Sequence, residues 1–388
     1  MENRRPRCGD ECTEYDAKCD NETIITVDDL RRCGVPKLNK TVCDYYESGA
    51  DQEQTLRENV EAFKRWRMLY RVLVDVTKRQ LNATVLGKSV SMPFGIAPSA
   101  MQKMAHPDGE NGTAEASQAT GTVMILSTLS STSLEEVRAA APNATLWLQL
   151  YIFKNRTVTE ELLRRAESAN FAAVVMTVDA PIWGQRIADV RNAFTIPEGI
   201  TLGNFDQSIY ANFNMTNATS GSGLTEYTND FFDQSLSWQD VCWLQNFTSL
   251  PIVLKGIITA EDAKRAVEYG ARAILVSNHG GRQLDGAPAT IEALPAIMEA
   301  VGNCTEVYLD GGVRTGTDVL KALALGARAV FVGRPALSGL AYNGTDGVKK
   351  MLDIFRTELD RALALMGHSS VETLRPQDLI RQERYGLP

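Results

Sequence analysis

Eight short β-rich apolar runs, each followed by a helical stretch, predict an α/β fold, a closed (β/α)8 barrel of the TIM type, in this 388-residue chain. A second observation is that the runs are almost continuously apolar, as expected of parallel strands buried on both faces. A third is that a polar or charged residue or a glycine stands at or just past the end of each run. Core strands have no structural need for such endings, whereas barrels gather their chemistry at the C-terminal ends of the strands.

Taken in order, residues 1–40 are polar, non-periodic and dotted with Cys8, Cys12, Cys19 and Cys33, and read as an N-terminal tail or short-helix extension. Those thiols are either unrelated or the anchors of a disulfide-pinned tail. Residues 41–388 read as the barrel domain, opening with a mostly helical preamble from Asp44 to Asp75. The eight predicted strands are Phe94–Ala97, Val123–Leu126, Leu146–Leu150, Ala173–Val178, Ile252–Lys255, Ala273–Ser277, Val307–Asp310 and Ala329–Val332. Thr259 to Asp262 has the form of a helix cap, and Gly270 ends that helix. Thr317 and Asp318 open another, with Val319, Leu320, Leu323 and Leu325 apolar and Gly326 closing it. The connection from Arg186 to Pro251, rich in Asn, Thr, Ser and Gly between Asn212 and Asp230, follows the fourth strand and reads as a lid over the catalytic face.

The composition narrows the function. A formal charge of −8 gives no basic face for nucleic acid. No apolar run of about 18 residues exists to span a membrane, and no signal-peptide h-region is visible at the N-terminus. Only His106, His279 and His368 are present, without metal-ligand spacing, so no metal site is expected.

Two strand ends point to phosphate. Gly311, Gly312 and Gly333 expose backbone N–H groups, and Arg314 and Arg334 add charge after the last two strands. A second constellation runs from Ser277 to Arg282. His279 leaves a strand onto a glycine-rich turn, where it is either a proton acceptor in the cavity mouth or a hydrogen-bonded structural histidine. Arg282 and Arg186 offer guanidinium forks for a carboxylate. Asp179 is placed to orient the imidazole. Lys255 either stabilises an anionic cofactor or forms a rim ion pair. Base, carboxylate clamp and phosphate-anchored cofactor together imply chemistry at the carbon next to a carboxylate.

The segments Ala97–Glu110, Leu254–Ala263, Ser277–Asp285 and Asp310–Asp318 resemble the motifs of the FMN-dependent α-hydroxy-acid oxidase family, from about residue 40 to the C-terminus. The resemblance implies FMN as cofactor, a small (S)-2-hydroxy acid and dioxygen as partners, and a homotetramer. It implies His279 as base, with Arg186 and Arg282 on the substrate carboxylate and Tyr45 and Tyr151 contacting substrate. Ser127, Gln149, Thr177 and Lys255 match flavin-ring positions, and the backbone at Ser99 and Ala100 packs against the ring. Ser277, Asp310, Gly311 and Gly312 complete the expected cofactor site, with Arg314, Gly333 and Arg334 on the phosphate. Leu129 and Trp183 replace pocket residues typical of the family's glycolate oxidases, and Leu129 implies room for longer aliphatic acids. Two other functions remain open: a dehydrogenase with a non-oxygen acceptor, and an inactive FMN- or phosphate-binding glycoprotein.

Eleven Asn-x-Thr sequons occur, at Asn21, Asn39, Asn82, Asn111, Asn143, Asn155, Asn214, Asn217, Asn246, Asn303 and Asn343. They favour a secretory or extracellular fate. A peroxisomal or cytosolic location, as in the family, is the alternative, although the ending Tyr385 to Pro388 is no peroxisomal tripeptide.

Overall fold

The computed structural model describes Cys19 and residues 22–205 and 222–384. Eight parallel strands close a barrel: β1 (Phe94–Ile96), β2 (Val123–Leu126), β3 (Thr145–Leu150), β4 (Ala173–Thr177), β5 (Ile252–Ile257), β6 (Ala273–Val276), β7 (Glu306–Asp310) and β8 (Ala329–Val332). They pair in chain order, and β8 returns to β1 through Val330 opposite Phe94. Every predicted strand is present, within two residues at either end.

Period-two alternation splits each strand between two cores. Leu146, Leu148 and Leu150 of β3 face the helices, while Trp147 faces the barrel axis. Trp147, Tyr308 and Phe331 fill the interior, with ring centroids 5.5–5.8 Å apart. The barrel is therefore a packed core, not a pore. A hairpin, Ala83–Val85 with Lys88–Val90, adds Ala83, Val85 and Val90 to that inner cluster.

The predicted tail contains ordered structure. Helix α1 (Val27–Gly34) begins at a Thr26–Asp29 capping box and buries Val27, Leu30 and Cys33. It packs on the long C-terminal helix Arg334–Leu365, which is kinked at Asn343 and Gly344. A Cys19–Cys33 disulfide staples it, and Cys43 is disulfide-bonded as well, so the described part of the tail is disulfide-pinned. Cys8 and Cys12 lie outside the described residues. Helix α2 (Lys40–Glu47) follows, capped by Asn39.

The long connection after β4 is not one irregular lid. It holds short helix Ile187–Arg191, helix Gly223–Phe231 and helix Trp238–Phe247, the last starting at a Ser237–Asp240 capping box. The middle of the expected lid, residues 206–221, lies outside the described residues. Among the described residues no helix is long and apolar enough to cross a membrane.

Candidate active site

The alternation that fills the barrel also builds the site. On β2, β3, β4, β5 and β7 the inward positions run apolar and then polar, ending on Ser127, Gln149, Thr177, Lys255 and Asp310. These side chains form a belt above the aromatic plug. Gln149 Nε2 donates to Thr177 Oγ1 (3.0 Å), the Thr128 N–H donates to Gln149 Oε1 (3.0 Å), and Lys255 Nζ lies 4.0 Å from Asp310 Oδ2. Burial pushes the Asp310 carboxyl up, against the opposing pull of Lys255. Above the belt lies a cavity of about 960 Å³, including its open mouth. A belt of donors and acceptors facing such a space can hydrogen-bond one edge of a planar heterocycle.

His279 stands at the cavity wall in the left-handed region, φ 59°. Strain of this kind in a non-glycine residue costs about 1–3 kcal/mol and persists where the surroundings enforce it. Its Nδ1 is 2.9 Å from Asp179 Oδ1, and its Nε2 is 3.4 Å from the Tyr151 hydroxyl. Asp179 reaches this position because β5 bulges at Gly256, where φ is 112°. A Cβ on Gly256 would lie 2.5 Å from that of Asp179. Burial first, then the Lys255 charge, hold the imidazole down at about 4 from its ordinary 6.5, with Asp179 pulling the other way. Burial raises the Asp179 carboxyl, but His279 and Lys255 outweigh it and keep it low. The pair is thus neutral imidazole beside carboxylate at neutral pH, a base ready to accept a proton at Nε2.

Arg186 is buried, and its Nε and Nη1 have no hydrogen-bond partner. Asp189 approaches Nη1 only to 3.9 Å, and the guanidinium lies 4.5 Å over the Trp183 ring. Burial and the nearby charge of Arg282 pull it down to about 10, so it stays a cation. A buried cation with unmet donors beside a base is a site for an anion. Tyr45 lies between the two arginines, 5.9 Å from Arg186 and 5.1 Å from Arg282, stacked on Phe194 at 4.5 Å.

Tertiary contacts give two arginines work that the strand-end reading did not foresee. Arg282 Nη1 donates to the carbonyls of Tyr45 (2.7 Å) and Ser48 (2.8 Å). Arg334 donates from Nε to Tyr46 O (2.8 Å), from Nη1 to Gly280 O (3.0 Å) and from Nη2 to Ser48 O (2.9 Å). Both satisfy carbonyls at the C-terminal end of α2, where cations are favoured. Arg334 lines the cavity at the expected strand end, and its side-chain nitrogens also act there as a strut. Ser277, expected at the cofactor, lies behind the cavity wall. It is fully buried and does not line the cavity; its hydroxyl accepts the His279 N–H (3.1 Å) and bonds Asp310.

The other expected positions, Ser99, Ala100, Leu129, Trp183, Gly311, Gly312, Arg314 and Gly333, all line the cavity. A Cβ on Gly333 would meet nothing closer than Ser99 Oγ at 3.6 Å, so this strand end is open to a ligand. Sequence reasoning missed Tyr46, whose hydroxyl donates to Met101 O (2.8 Å), and Phe232, which stacks on Tyr151 at 4.5 Å. Its place next to Tyr45, which the resemblance put on the substrate, was a usable signal for Tyr46. Phe232 returns from a distant segment and had none.

Comparison with known proteins gives one family. A family model described as FMN-dependent dehydrogenase matches residues 36–381. 2-Hydroxyacid oxidase 1 of Homo sapiens is 49% identical over 351 residues, 90% of this chain and 95% of that protein. Glycolate oxidase 3 of Arabidopsis thaliana is 51% identical over 351 residues, 90% of this chain and 94% of that one. Among solved structures, mandelate oxidase with (S)-4-hydroxymandelic acid superposes with a TM-score of 0.87 at 40% identity, covering 92% of this chain and 98% of that one.

Proposed function

The chain belongs to the FMN-dependent dehydrogenase family, and from that premise we propose that it oxidises (S)-2-hydroxy acids to 2-oxo acids while dioxygen becomes hydrogen peroxide. The observation that carries this reading is the buried guanidinium of Arg186, with Nε and Nη1 lacking hydrogen-bond partners, in the same cavity as the Asp179-oriented His279. A carboxylate answers the first, and a proton leaving the adjacent carbon answers the second.

The residues present fit FMN. The belt of Ser127, Gln149, Thr177 and Lys255 suits the polar edge of its ring, with the backbone at Ser99 and Ala100 beside it. Gly311, Gly312, Arg314 and Gly333 suit its phosphate, and Arg334 braces α2 behind them. FMN, when bound, supplies the two-electron acceptor. Arg186 and Arg282 hold the substrate carboxylate, and the hydroxyls of Tyr45 and Tyr151 orient the substrate oxygens. His279 accepts the departing proton at Nε2, and Asp179 stabilises the imidazolium from Nδ1. Leu129 and Trp183 wall the substrate's side chain.

Self-association belongs to the same reading. Leu69, Tyr70, Val72, Leu73 and Val74 form an exposed apolar stretch interrupted by Arg71, which supports a subunit contact within a homotetramer.

Anaerobic addition of a 2-hydroxy acid such as lactate to the yellow holoenzyme tests the function. Rapid bleaching, followed by rapid recolouring in air, is the expected result. Bleaching with slow recolouring would indicate a dehydrogenase with another acceptor, and no bleaching an inactive binder.

A further inference from the structure

We infer that the exposed Asn-x-Thr sites of this chain carry N-linked glycans, and that it folds in an oxidising, secretory compartment. Two independent observations carry this, and neither rests on the catalytic reading.

The first is the sequons. The chain has 19 asparagines, and threonine makes up about 8% of it, so random placement gives about one or two Asn-x-Thr triplets against the eleven present. All eleven carry Thr and none carries Ser. Turn and cap chemistry explains asparagine at element ends. It does not explain the hydroxyls of Thr41 and Thr157, because the caps use only the backbone N–H there, whereas those of Thr248, Thr305 and Thr345 have bonds of their own to Glu167, Ala271 O and Asp108.

The structure sorts the sites. Asn39, Asn82, Asn143, Asn155, Asn246, Asn303 and Asn343 are exposed, at caps, turns, a strand start, a last helical turn and a helix kink. At Asn39 and Asn155 the side-chain Oδ1 accepts the N–H of Thr41 (2.9 Å) and Thr157 (3.2 Å). That leaves Nδ2, the atom a glycan modifies, turned away from the backbone. Asn111 is the exception. It lies inside helix Gly109–Thr120, its Oδ1 is buried without a partner, and Thr113 Oγ1 is buried against Gln102. A glycan there would have to displace packed helix. Asn21, Asn214 and Asn217 lie outside the described residues.

The second observation is redox state. The Cys19–Cys33 disulfide and the disulfide-bonded Cys43 belong to an oxidising environment. The glycan-transfer step forms a bond from Asn Nδ2 to the anomeric carbon of an oligosaccharide. It breaks that carbon's bond to the diphosphate of a lipid-linked donor, which leaves as the lipid diphosphate while the amide gives up one proton.

The test uses protein isolated from its own source. Peptide N-glycosidase digestion in heavy-oxygen water converts each glycosylated Asn to labelled Asp, read by peptide mass mapping. An undigested sample controls for spontaneous deamidation at Asn111-Gly112 and Asn343-Gly344. Conversion at four or more of the seven exposed sites, with Asn111 unchanged, is expected. Alkylation of the denatured, unreduced chain should label Cys242 and Cys304, the free thiols among the described residues, and leave Cys19, Cys33 and Cys43 unlabelled. Conversion at three or fewer sites, conversion at Asn111, or labelling of Cys19 and Cys33 would each overturn the inference. None of these outcomes bears on flavin bleaching, so this inference and the oxidase reading fail separately.

Discussion

His279 and Arg186 are held in opposite electrostatic states, and each gives a measurable consequence. His279→Asn removes the proton acceptor without touching the glycine-lined phosphate end. It should retain FMN while kcat falls by about 10²–10⁴-fold; near-normal turnover would refute the assignment. In the wild type the imidazole is held at about 4, so kcat/KM should stay flat as pH falls below 6.5 and decline only near 4. Stability should follow a related course. Between about 4 and 6.5 the unfolded chain binds the proton and the folded one does not, so this group's contribution rises with pH and is lost on acidification. The pH dependence of Tm should therefore be shallower over that window in His279→Asn than in the wild type. Arg186→Met exchanges a buried cation with two unmet nitrogens for an apolar chain. Substrate binding should be lost, yet Tm of the substrate-free protein should rise by roughly 1–3 °C; a fall would mean that the guanidinium is already satisfied. Leu129, 1% exposed on the cavity wall, bears on specificity. Each methylene that its smaller side chain admits is worth about 0.8 kcal/mol, near fourfold in kcat/KM. Trp183 opposes this, pinned by Arg186 and edge-on to His279 at 6.1 Å. A series from glycolate to 2-hydroxyoctanoate should rise before it levels; a steady fall would show that Trp183 sets the limit.

At the scale of single elements, the β5 bulge and helix α2 place the reacting groups. Gly256 supplies a conformation that an L side chain enters at about 1–2 kcal/mol, and it leaves room for Asp179. Gly256→Ala should lower Tm and also lower kcat, because Asp179 must retreat from His279 Nδ1. Loss of stability with an unchanged kcat would separate the bulge from the catalytic pair. Helix α2 delivers Tyr45 and Tyr46 on consecutive positions, and Arg282 and Arg334 hold its C-terminal carbonyls against the strand ends. One short helix is thereby tied to β6 and β8. This explains how a tyrosine almost 50 residues before the first barrel strand enters the cavity.

For the whole molecule, the barrel is anchored at both ends, and an apolar stretch is exposed at residues 69–74. The hairpin near Val85 packs on the inner core, α1 packs on the C-terminal helix, and Trp66–Met68 pairs antiparallel with Leu379–Arg381. Against this closed surface Leu73 is fully exposed, flanked by Val72 and Val74. Val72→Asp with Leu73→Asp should reduce the mass seen by light scattering toward that of a single chain, with the fold intact by circular dichroism. An unchanged mass would remove this stretch from the subunit contact.

Local pattern determined the eight strands, their polar ends, the phosphate-side glycines and the importance of His279, because strand burial and turn chemistry are written in neighbouring residues. It also determined the resemblance through which Tyr45, Tyr151 and Arg186 were expected at one site. Only tertiary structure decided that Arg334 would brace α2, that Ser277 would turn under His279, and that Phe232 would return to stack on Tyr151. It also decided which cysteine Cys33 would join. The Arg334 and Phe232 contacts join residues distant in the chain, and Ser277 turns under His279 while also bonding Asp310 on the neighbouring strand. The partner of a guanidinium, a hydroxyl, a ring or a thiol depends on which backbone arrives beside it, and no local spacing encodes that arrival.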